Sequence, residues 1–105
     1  MKILKNSIPY ITDVNIAGEN YQFEFTCNQY DGRVYVNLYT PASDLIYPNE
    51  PIIYGVPLWI NKMTDTKGNL NKKFPKKYII PNTVDRKPID IRFSNIDKIQ
   101  LLMEG

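Results

Sequence analysis

At 105 residues the chain has room for one domain and one hydrophobic core, burying roughly two-thirds of its unfolded surface on folding. A hydrophobic share of 43% and a charged share of 23% are ordinary globular composition. The net charge of +2 predicts no obligatory polyanion partner, so a nucleic-acid role would have to rest on a local patch.

Met1 to Asn6 carries no long apolar stretch, and no window of the sequence reaches the apolar length that spans a bilayer. Synthesis in the cytoplasm without a signal peptide is the expectation, with no membrane partner. The lone Cys27 has no partner for an internal disulfide, which suits a reducing compartment. From Asp13 to Thr40 the sequence alternates with the period of a strand. Val14 and Ile16 share one face, and Gly18-Glu19-Asn20 supplies turn residues. Tyr21, Phe23, Phe25 and Cys27 form the next apolar row, with Gln22, Glu24 and Thr26 opposite, so burial of Cys27 is expected. Asp31-Gly32 signals a tight turn. Val34, Val36 and Leu38 then face inward while Arg33, Tyr35, Asn37 and Tyr39 face away. Residues 11–40 are thus predicted to be a three-stranded antiparallel meander.

Over 41–57 Pro41, Pro48, Pro51 and Pro57 interrupt the chain, and this stretch reads as a proline-rich connection that no long helix can cross. Ile52-Ile53-Tyr54 and Val56 through Ile60 are candidate short strands around Gly55. Residues 62–78 read as a lysine-rich hairpin region with Asp65-Thr66-Lys67-Gly68-Asn69 at its tip. Tyr78-Ile79-Ile80 is a further short strand, ended by Pro81. Ser94-Asn95-Ile96-Asp97 is one helical turn, and residues 98–103 are a closing strand. The predicted fold is all-β: residues 1–105 form a small single-domain antiparallel β-barrel or sandwich with at most one short helical turn.

The chemistry-bearing residues are sparse. Without histidine and with one cysteine, neither a usual zinc site nor a Ser-His or Cys-His nucleophile pair can be built. Asp85, Asp90 and Asp97 have no spacing that demands a shared site and read as solvated surface. The Asp65–Asn69 tip lacks the closing glutamate of a calcium loop. No enzyme, no metal and no cofactor are expected. One patch offers binding: Lys72, Lys73, Lys76 and Lys77, with Phe74 and Tyr78 interleaved, lie within a basic Lys67–Lys87 region. Lysines beside exposed rings on a small β fold could track phosphates and stack bases, as a single-strand nucleic-acid binder needs. The near-neutral total charge favours a solvated loop instead, so nucleic acid is the alternative and not the expected partner.

The order of segments carries a resemblance. Ile8-Pro9 leads into Val14-Asn15-Ile16-Ala17-Gly18-Glu19-Asn20-Tyr21, a strand, a glycine turn and a second strand. Asn28 with Arg33-Val34-Tyr35-Val36-Asn37-Leu38-Tyr39, then Ile53-Tyr54-Gly55-Val56-Pro57-Leu58, and finally Ile99-Gln100-Leu101-Leu102-Met103 follow. Over nearly its full length this chain resembles the small plug domain of cyanophage baseplates, a family found in contractile-tail gene clusters. The resemblance implies a compact β fold and a non-enzymatic structural role in a phage-like tail particle. It further implies contacts with hub, tube or spike proteins near the tail axis, with other copies of the chain as further partners within the particle. For an assembly part, interface energy is expected to concentrate in Tyr, Trp and Arg side chains. That points to Arg33, Tyr35 and Tyr39 on the outward side of the second hairpin, and to Tyr47, Tyr54 and Trp59 in the proline-rich stretch. Tyr54 and Trp59 are equally placed to cover the open end of the core.

Overall fold

Alternation decides the first sheet. The computed structural model describes residues 1–104. In it β1 (Tyr10–Ile16), β2 (Glu19–Cys27) and β3 (Val34–Tyr39) pair antiparallel in the order β1-β2-β3. Val14 pairs with Tyr21, Phe23 with Leu38 and Phe25 with Val36, so the three apolar rows fall on one face. Phe23, Phe25, Val34, Val36 and Leu38 are all fully buried. Removing each such aromatic or aliphatic side chain from water is worth about 1.5–3 kcal/mol, which makes this face the main stabilising surface. The β1–β2 turn is the two-residue Ala17-Gly18, both at positive φ, 53° and 83°. That backbone matches the twist of a two-residue hairpin, and glycine meets its demand without steric cost while Ala17 does so under strain.

A fourth strand, β4 (Leu45–Pro51), runs antiparallel to β3 along the sheet edge. This corrects the reading of 41–57 as a connection, and the proposed strands at Ile52–Tyr54 and Val56–Ile60 are absent. Prolines are tolerated here because an edge strand need not donate on its outer side. Register shifts between Val36 and Tyr39, with Asn49 at φ 54°, absorb the extra residues as bulges. Gly55 at φ 71° and Trp59 at φ 46° break any strand across 52–60. That stretch still flanks the second sheet, since the Gly55 N–H donates to the Pro81 carbonyl and the Leu58 N–H to the Ile79 carbonyl, both at 2.9 Å.

The second sheet is the antiparallel pair β5 (Tyr78–Thr83) and β6 (Ile99–Glu104). Strand β5 continues through Pro81 instead of ending there. Pro81 lies opposite Leu101, whose own N–H turns away to the Met1 carbonyl at 2.8 Å, so the pairing asks no N–H of the proline. The predicted turn near Ser94 is a 3-10 helix over Phe93–Lys98, leading directly into β6. In the lysine-rich region only Thr64 and Leu70 bridge, around the Asp65–Asn69 tip, so the hairpin there is rudimentary.

One core cluster joins the two sheets, with Ile79, Ile99 and Leu101 from the second meeting the rows of the first. The arrangement is sandwich-like, with no closed barrel. Trp59 stands at its centre, 1% exposed, 5.6 Å from Phe23 edge-to-face and 6.4 Å from Phe74. Cys27 departs from expectation. It is half-buried at the end of β2, where the inner face of the sheet runs out beside Ile8, Pro9 and Phe93.

Candidate functional site

The face opposite the core is built by the other half of the alternation. On β3 the outward residues Tyr35, Asn37 and Tyr39 pair with Thr26, Glu24 and Gln22 of β2. Across from these, Ile11 of β1 pairs with Glu24, and Leu45 of β4 pairs with Tyr39. Glu24 is the hub: its Oε1 accepts from Asn37 Nδ2 at 2.9 Å and from the Tyr39 hydroxyl at 3.1 Å. The Asn49 N–H donates to Asn37 Oδ1 at 2.6 Å, tying the bulged β4 edge to the same network. The Tyr35 hydroxyl donates to Asp31 Oδ2 at 2.8 Å.

These bonds set the electrostatics. Hydrogen bonding to Asp31 pushes the Tyr35 phenol above its ordinary pKa, and burial followed by the bond to Glu24 does the same for Tyr39. Asp31 is held below the usual carboxylate range, chiefly by the Arg33 N–H and then by Tyr35. Arg33 extends a guanidinium to Asp90 at 3.6 Å, and Arg92 bonds both Asp90 and the Asp31 carbonyl. The 28–33 loop is thereby fastened to the segment around residue 90. Both phenols are pinned while their rings remain half-buried, so little rotamer entropy is left to lose on docking.

Of the six side chains proposed for an interface, Arg33, Tyr35 and Tyr39 are brought together on this face. The other three lie elsewhere. Tyr47 turns inward, opposite Leu38, with its ring 6.0 Å from Phe74. Tyr54 is half-buried against the core and donates its hydroxyl to Asn82 Oδ1 at 2.8 Å. Trp59 is in the core and offers no surface. Among the exposed apolar side chains that the sequence reading passed over are Ile11 at 56%, Leu45 at 54%, and Tyr30, fully exposed at the tip of the 28–33 loop. Ile11 was detectable, because its parity opposes that of Val14 and Ile16. Leu45 was not, because its strand was unrecognised.

The lysine cluster is a separate surface. Lys72, Lys73 and Lys76 are exposed, Lys77 is half-buried, and Lys76 pairs with Glu19 at 3.3 Å. Phe74, one of the two interleaved rings, is buried at 6% exposure, which leaves Tyr78 as the ring beside the lysines. A platform for stacking successive bases needs more than one. Among the described residues no three His, Cys, Asp or Glu side chains gather as metal ligands. No helix among them is long and apolar enough to cross a membrane.

Residues 1–103 match the family described as the cyanophage baseplate Pam3 plug gp18. The chain belongs to that family, whose members are structural plug proteins of the phage tail baseplate. No curated protein matches it.

Proposed function

We propose that this chain works as a non-enzymatic plug that docks on hub or tube proteins near the tail axis, presenting the outward face of its four-stranded sheet. Membership of the baseplate plug family across nearly the whole chain is the observation that carries the reading. The face supplies what an interface needs: two phenol rings held by hydrogen bonds, an arginine at one end, and Ile11 and Leu45 exposed at the flanks. Tyrosine and arginine are the side chains in which docking energy concentrates. Further copies of the chain within the particle are a second class of neighbour for the same face.

The test replaces Arg33, Tyr35 and Tyr39 together by alanine. Their hydrogen bonds and ion pair are on the surface, so the melting temperature should be nearly kept. Tail particles assembled with the variant should then lack the chain. Incorporation equal to the parent's would mean that this face is not the docking surface.

A further inference from the structure

Between residues 62 and 77 the chain carries six lysines, Lys62, Lys67, Lys72, Lys73, Lys76 and Lys77, against one acid, Asp65. That excursion is therefore +5 in a chain whose total is +2, which leaves −3 on everything else. The near-neutral total conceals a strongly cationic lobe. Folded into the lobe is a groove of about 800 Å³ lined by Met63, Leu70, Phe74, Pro75 and Tyr78, with Lys72 and Lys76 among its walls. Met63 and Phe74 are buried, whereas Leu70 is 72% and Tyr78 45% exposed.

The groove already shows which chemistry it holds. Glu19, from the β1–β2 hairpin, reaches into it, accepts from the Tyr21 hydroxyl at 2.9 Å and pairs with Lys76 at 3.3 Å. These two contacts, Tyr21 first, keep the Glu19 carboxyl below its ordinary pKa. Lys72 and Lys73 have no ion-pair partner among the described residues. A groove with apolar residues beside Asn69, Asn71 and the unpaired Lys72 ammonium, with Lys73 in the adjoining pocket, complements an apolar side chain flanked by carboxylates. It suits a nucleic-acid strand less well, because Phe74 is withdrawn into the core and Tyr78 alone presents a ring.

We infer that this groove receives an extended acidic segment of a neighbouring baseplate protein. An apolar side chain of the segment enters between Leu70 and Tyr78 over Phe74, and its flanking carboxylates meet Lys72 in the groove wall and Lys73 in the adjoining pocket that Lys72 also lines. The inference rests on the baseplate reading and adds to it the chemistry of one partner. It also gives the chain a second contact surface, which meets the flank of the four-stranded sheet at the pocket that Leu45 shares with Lys72 and Lys73.

The probe is a synthetic peptide with a central leucine flanked by glutamates, titrated into the isotope-labelled full chain and followed by NMR. The expected shifts are confined to residues 63–78 and their contact Glu19, and binding weakens as salt is added. Lys72→Glu with Lys73→Glu should weaken it by about tenfold or more, since reversing rim charges opposes the encounter. Leu70→Asp, at an exposed position that the fold tolerates, should weaken it as well. The inference is overturned by shifts elsewhere or none, by equal binding of a peptide with serine in place of the leucine, or by an oligothymidylate that binds more tightly than the peptide. Incorporation of the parent chain into tail particles is scored independently. A parent that incorporates but ignores the peptide removes this inference alone, whereas a parent absent from the particles removes the docking reading whatever the peptide does.

Discussion

Glu50 is the carboxylate most at odds with its surroundings. It sits on β4 opposite Val36, on the inward side, and its Oε1 accepts the Trp59 backbone N–H at 2.9 Å. Burial pushes its pKa up, and the bond from Trp59 offsets this only in part. The native state therefore keeps a proton on Glu50 at a pH where the unfolded chain has lost it. Stability from this group falls as pH rises from the ordinary glutamate range through the raised value. Glu50→Gln removes the charge and keeps an acceptor for Trp59. The variant should melt above the parent at neutral pH, and the gap should close on acidification through that window. Thermal melts across pH measure it, and a gap that widens in acid would contradict the assignment. Cys27 makes a second commitment at this scale. Its residue type and row argue for burial, yet its place at the strand end leaves it half-exposed. A thiol reagent should label the native protein to completion without denaturant, and protection as strong as that of a core thiol would contradict the described position.

At the scale of elements, β3 separates the core face from the outward face. Val36 is fully buried between Phe25 and the Glu50 position, so Val36→Asp places a second carboxylate beside an already strained one. The loss should be about 3 kcal/mol or more, from an unpaired buried charge. Tyr35→Ser removes a hydrogen bond on the outward side and should cost about 1 kcal/mol or less. Thermal denaturation of the two variants should differ widely, and equal shifts would reverse the two faces. These faces were legible because a period of two leaves little freedom: once Phe23 and Phe25 are inward, Tyr35 and Tyr39 are outward. β4 was illegible because Pro48 and Pro51 argue against a strand, and only the position at a sheet edge, with bulges, makes them acceptable. Trp59 was ambiguous for a related reason. Its residue type fits an interface, and its burial depends on a left-handed backbone at its own position that no local pattern announces. Phe74 misled in the same way, since a ring among lysines reads as exposed until the fold turns it toward Trp59.

On the scale of the whole molecule, the chain has two faces of different chemistry and one core between them. The outward sheet face is an aromatic and polar network fixed by Glu24 and Asp31, whereas the lysine lobe concentrates positive charge around an apolar groove. Under the proposed docking, the plug would make contacts on more than one side. Two surfaces of different chemistry on a domain this small fit that reading. The most direct measurement is a cryo-electron microscopy map of tail particles purified with the parent chain in place. The account predicts density for the chain at the baseplate near the tail axis, with Arg33, Tyr35 and Tyr39 covered by another protein. A baseplate map without the chain, or one in which that sheet face looks onto open solvent, would contradict it.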